Sequence, residues 1–140
     1  MQILVATLCD TAVESQGKLN ILGAFDGISA PSFPANFSFT LALRFCFTSE
    51  DHGAHRFAIR LVEGSADPSG NAAQAVEMNV NMPPGTEGFS TQNIIEPLQG
   101  TVKAAGIYYF HVTFDDAVLA RVPLRVISQT ETQSATDKGA

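Results

Sequence analysis

Between residues 37 and 47 every second side chain is a large hydrocarbon. Phe37, Phe39, Leu41, Leu43, Phe45 and Phe47 alternate with Ser38, Thr40, Ala42, Arg44 and Cys46. A period of two points the first set to one side of a pleated strand and the second to the other, so a half-buried strand is predicted with Cys46 on its polar side. After the polar loop 48–54, Phe57, Ile59 and Leu61 repeat the pattern against Arg56, Ala58, Arg60 and Val62. Two alternating runs joined by such a loop predict a β-hairpin. A second hairpin is predicted near the end. Tyr108, Phe110, Val112 and Phe114 share one face, with Ile107, Tyr109, His111 and Thr113 on the other. Asp115-Asp116-Ala117 turns the chain, and Val118, Ala120, Val122, Leu124 and Val126 then line the inner side of a last strand. Pro123 removes a ladder donor, which predicts an edge position or a bulge.

Residues 2–9 and 18–28 read as strands around a polar turn at Glu14-Ser15-Gln16-Gly17. Residues 74–82 alternate with Val76, Met78, Val80 and Met82 inward, and residues 91–98 predict a short strand that stops near Pro97. Ala30-Pro31-Ser32-Phe33-Pro34 and Asp67-Pro68-Ser69-Gly70-Asn71 are loops by their turn chemistry. About eight short strands separated by turn signals predict an all-β, antiparallel sandwich, folded as a single domain over residues 1–127. Residues 128–140 contain no Leu, Ile, Val or aromatic side chain, so the tail has nothing to bury and is expected to be disordered.

Composition narrows the partners. The 140 residues are 45% hydrophobic and 16% charged, a globular balance. Eight Lys and Arg against fourteen Asp and Glu leave a net charge of −6. Nucleic acid and anionic membranes would repel such a chain, so neither is an expected partner. Met1–Ala6 carries no Lys or Arg before its short apolar run, which reads as a first strand and not as a signal peptide. The expected compartment is the cytoplasm, with Cys9 and Cys46 as plain thiols.

Gly106-Ile107-Tyr108-Tyr109-Phe110 resembles the penultimate strand of immunoglobulin-like sandwiches. In those domains a tyrosine near the strand's start bonds back to the preceding corner. Phe110 stands where antibody domains place a disulfide cysteine, so the likeness is to the immunoglobulin-like architecture alone. Ala6-Thr7-Leu8-Cys9-Asp10, the run from Gly17 through Leu22 to Asp26, Leu41-Ala42-Leu43-Arg44-Phe45 and Pro123-Leu124-Arg125-Val126 are more specific. Together they resemble a family of bacterial proteins known as a domain of unknown function, over residues 2 to 127. The resemblance implies a small bacterial sandwich and brings no activity, substrate or site residue with it.

No glycine-rich phosphate loop, nucleophile elbow, metalloprotease motif or EF-hand loop is present, so no catalysis is expected. Two chemical readings and one surface remain. If the strands simply run up and down, Glu14, then Glu50, Asp51, His52 and His55, then Glu87, then Asp115 and Asp116 emerge at one end. Glu50, Asp51, His52, Asp115 and Asp116 would then be candidate ligands for a hard cation such as calcium. Acidic loop tips more often just keep a protein soluble. Arg44, Arg56 and Arg60 share a polar face and could receive a carboxylate or phosphate, or pair with Glu77. Ile107, Tyr109, Leu119 and Ile127 fall on the outward side of the closing hairpin, where large apolar residues imply a cover. Residues 91–105 could supply that cover, or a protein partner or second copy could. The function expected is therefore a cytoplasmic binding or assembly module, with a cation-dependent ligand-binding domain as the alternative.

Overall fold

The computed structural model describes residues 1–64, 75–84 and 88–129. The loop expected at 67–71, Glu87 and most of the expected tail lie outside them. Nine strands run through the described residues. They are β1 (Gln2–Ser15), β2 (Lys18–Phe25), β3 (Gly27–Ala30), β4 (Ala35–Phe47), β5 (Gly53–Glu63), β6 (Ala75–Met82), β7 (Ser90–Val102), β8 (Gly106–Phe114) and β9 (Ala117–Ser128). A four-stranded antiparallel sheet has the order β2-β1-β4-β7, and a five-stranded sheet the order β3-β9-β8-β5-β6.

The second sheet is mixed, because β3 runs parallel to β9. The expected antiparallel pairing therefore holds throughout the first sheet and for the second sheet except at β3. Residues 18–28 are not one strand: the chain leaves the first sheet at Asp26 and re-enters pairing in the other at Gly27. The Asp26 carbonyl accepts the Arg125 N–H at 2.7 Å across that junction.

The phenylalanine row of β4 builds the core. Phe37, Phe39, Leu41, Leu43, Phe45 and Phe47 are buried together with Phe57, Ile59, Leu61, Phe110, Val112 and Leu124 of the opposite sheet. The rings of Phe45 and Phe57 meet edge-on at 5.6 Å, and those of Phe39 and Phe110 at 5.9 Å. Hence β4 and β5 do not form the predicted hairpin. β4 bonds to β1 and β7, and β5 to β6 and β8. Two strands with strong apolar rows bury both rows by facing each other, whereas pairing in one sheet would leave both looking for a cover. A 3-10 turn at Ser49–Asp51 carries the chain across.

The closing hairpin forms as predicted. Asp115 and Asp116 both take positive φ, 48° and 69°, and Phe114 faces Ala117 across the two-residue turn. That handedness matches the twist of the flanking strands. The Tyr108 hydroxyl donates to the Ala104 carbonyl at 2.7 Å, the bond anticipated from the 106–110 run. A register shift between Val112 and Thr113 sets Ala120 opposite Val112 and Val118 opposite Thr113. Leu119, expected outside, therefore packs on the core. A single extra residue in the ladder is enough to turn a side chain to the other face. Pro123 lies just before β3 begins its pairing at Arg125, so β9 is locally an edge there. β7 runs on through Pro97 to Val102, past the predicted stop, because an edge strand tolerates a proline whose missing N–H would point outward.

The other side of β4 is covered by the chain itself. Cys9 faces Thr40, yet the Gly17 carbonyl accepts hydrogen bonds from Arg44 at 3.0 Å and Asn93 at 3.2 Å. The hairpin of residues 10–24 therefore doubles back over the outer face of the four-stranded sheet. Leu19 and Ile21 of this arm pack on Cys9, Ala12 and Ala42, with Ile95 beside them. Gly23 makes the bend possible. Its φ is +72°, and a Cβ there would collide with the Asp10 carboxylate opposite it. Arg44 closes the arm further by donating to Asn93 Oδ1 at 2.8 Å and Thr91 Oγ1 at 3.0 Å. It is committed to the cover of the four-stranded sheet and shares no face with Arg56 and Arg60, which corrects the expected trio. Cys9 and Cys46 are both free. They lie opposite Thr40 and Gln2, six positions apart along β4 and so on the order of 20 Å, well beyond disulfide reach.

Candidate functional site

Some of the acidic loop residues do converge. Asp51 Oδ2 accepts the Met1 ammonium at 3.1 Å and the Thr48 N–H at 3.0 Å. His55 bonds through Nδ1 to Asp115 Oδ2 and through Nε2 to the Asp51 carbonyl, both at 2.6 Å, and its ring stacks on Phe114 at 4.6 Å. Asp115 also accepts the Arg56 N–H at 2.9 Å. His52 Nδ1 lies 3.2 Å from the Met82 carbonyl, and Glu50 and Asp116 are exposed. Glu14 stands on the folded arm opposite Leu19. Among the described residues no group of three or more His, Cys, Asp or Glu side chains is placed to hold a metal ion. The carboxylates that meet here are used by cationic and N–H donors that tie the hairpin turn to the 3-10 turn.

This cluster makes a pH-dependent contribution. The hydrogen bond to Asp115 holds His55 above its ordinary 6.5, and the same bond holds Asp115 below its ordinary 3.8. A raised histidine adds stability that is present below pH 6.5 and lost as pH climbs through the folded value. A depressed carboxylate adds stability that is present above 3.8 and lost as pH falls through its folded value. The pair thus helps most between these limits. In urea titrations the native protein should exceed His55→Gln by more at about pH 5.5 than at about pH 8.5. An equal margin at both would mean the ion pair does not form in solution.

The outer face of the five-stranded sheet has a different character. Alternation along β5, β8 and β9 places Arg56, Arg60, Arg121 and Arg125 there, four of the chain's five arginines. His111 lies in register between Arg60 on β5 and Arg121 on β9. Arg56 and Arg60 share Glu77 of β6, at 3.0 and 3.2 Å. Arg121 and Arg125 are exposed and have no hydrogen-bond or ion-pair partner among the described residues. His111 is only 2% exposed, and its Nδ1 has no partner. Burial, then the charge of Arg121, holds its pKa below 6.5.

Three of the four predicted contact residues belong to this same face. Ile107 faces Arg125 and is 38% exposed, and Tyr109 faces Pro123 with Val62 on its other side. Ile127 faces Ser29 of β3, and Leu119 has moved to the core. Gly27 and Ser29 offer little side chain opposite Arg125 and Ile127, which leaves a recess of about 330 Å³ lined by these residues and Ile28. The gap between the sheets at Phe37, Ile59, Leu61, Val76, Leu98 and Phe110 measures about 70 Å³, too small for a metabolite. The cross-strand row of basic side chains escaped sequence reasoning because Arg60, His111 and Arg121 meet only through strand register. The odd spacing of Arg121, Pro123, Arg125 and Ile127 was the available signal.

No curated protein matches this chain. A family model does, over residues 4–127, and its description is a family of unknown function (DUF6941). The chain belongs to that family.

Proposed function

We propose that this protein is a non-catalytic binding module whose outer β8–β9 face docks an acidic partner protein. One observation carries the reading: Arg121 and Arg125 stand exposed, and unpaired among the described residues, beside Ile107, Tyr109, Pro123 and Ile127, on a chain whose net charge is −6. Arginine and tyrosine next to apolar side chains are the composition of interface centres. Local positive charge on an acidic molecule steers an acidic partner to this face and discourages other approaches. The recess beside Arg125 and Ile127 offers a place for one partner side chain. An isologous contact between two copies would set the arginines against each other, so a foreign partner fits better than a symmetric dimer. We read the framework as an immunoglobulin-like sandwich. The order β9-β8-β5-β6 parallels the G-F-C-C′ sheet, β1-β4-β7 parallels A-B-E, and Tyr108 supplies the corner bond. A cytoplasmic setting suits two free thiols.

Hexaglutamate serves as a minimal acidic probe. Its binding should weaken steeply as salt rises and should vanish in Arg121→Glu combined with Arg125→Glu, two exposed changes that leave the fold intact. Equal binding by that variant would reject the face. Tighter binding of a single-stranded oligonucleotide than of hexaglutamate would point to nucleic acid, and a concentration-dependent dimer in sedimentation would point to self-association.

A further inference from the structure

We propose that the cross-strand row Arg60, His111 and Arg121 is an oxyanion seat, and that a carboxylate of the acidic partner fills it. The proposal rests on the docking face described above and locates the partner's charge on it. Residues directly opposite one another in neighbouring strands interact, and like charges there are destabilising. Two arginines flanking a buried histidine in one row therefore favour an anion. Glu77 answers for Arg60 at 3.2 Å from the β6 side, while nothing among the described residues answers for Arg121. Between them lies a second, independent sign. His111 is buried, and its Nδ1 is an orphan. Buried polar atoms are nearly always bonded, and an unmatched one costs stability until a partner arrives.

The groups facing His111 are few. Tyr109 and Thr113 flank it on β8. Arg60 faces it from β5, with Ala58 and Val62 on either side. Arg121 faces it from β9, with Pro123 beyond, and Glu77 reaches the row from β6 through Arg60. None of these accepts a proton from His111 Nδ1. An oxyanion lodged beside Arg121 would offset the repulsion of its guanidinium and favour the imidazolium form. Binding at the seat should therefore take up a proton.

The test follows the His111 imidazole by NMR through a pH titration, with hexaglutamate and with inorganic phosphate. Hexaglutamate should raise the pH at which His111 titrates, and Arg121→Gln should weaken its binding about tenfold, the worth of one charge-assisted hydrogen bond. The change Lys103→Gln, at an exposed site on the β7–β8 connection, should leave both unaltered. If hexaglutamate shifts the amides of Ile107 and Tyr109 but leaves the His111 ring unmoved, the docking face stands and the seat is overturned. If phosphate moves His111 and hexaglutamate moves nothing, the row holds a free oxyanion, and the partner carboxylate is overturned together with the docking face. If neither probe moves anything, both readings fall.

Discussion

Phe45→Ala is expected to destabilise the protein by about 3–5 kcal/mol. Phe45 has no exposed surface, and its ring meets Phe57 edge-on at the centre of the contact between the two sheets. Removing it forfeits the transfer energy of the ring and leaves a cavity that neighbours from two sheets cannot both close. Ser38→Ala, on the opposite side of the same strand and exposed, should stay within about 0.5 kcal/mol. Urea unfolding of both variants decides the matter, and two equally mild changes would mean that the faces of β4 are reversed.

The second large effect concerns the face that looks polar in the sequence. Ala42 lies among Ser38, Thr40, Arg44 and Cys46, where a solvated strand would accept an acid without complaint. Instead it is fully buried beneath the arm of residues 10–24. Ala42→Asp should therefore cost about 3 kcal/mol or more, since a carboxylate would be enclosed with Cys9, Leu19, Ile21 and Ile95. Ser38→Asp should be nearly neutral. The arm should also become the first site of proteolysis in the Ala42 variant. Should Ala42→Asp prove as harmless as Ser38→Asp, the arm does not lie on the sheet.

These two variants mark where the sequence was informative. The inward row of β4 was legible because a period of two held without a break from Phe37 to Phe47. The β8–β9 hairpin was legible for the same reason, helped by a two-residue acidic turn. Sheet membership was not. Whether β5 pairs with β4 or faces it depends on the burial of two distant apolar rows, and alternation is identical in both cases. The arm was missed because Ala42 is a small residue that suits either water or a tight cover. Its nearest sequence signal was the second alternating pair, Leu19 and Ile21. Leu119 was misplaced by one bulge, which no local pattern announces.

The candidate site followed the same logic. Ile107, Tyr109 and Ile127 were placed on the outer face by alternation, and they are there. Of the arginines that give this face its charge, Arg56 and Arg60 were read with Arg44, and Arg121 and Arg125 were not read as candidates. Register alone joins Arg60 to Arg121 through His111. The contacts of the acidic cluster were not legible either. Its oxygens are claimed by Met1, Thr48, His55 and Arg56, donors whose approach depends on the crossover between the sheets.

The β8–β9 face is proposed as the place where this protein meets a partner. Backbone amide shifts recorded during a hexaglutamate titration at low salt are the decisive measurement. Perturbed amides should gather at residues 107–111 and 121–127, on the exposed side of these two strands. Shifts gathered instead on the arm at residues 10–24, or around Asp51 and Asp115, would contradict it.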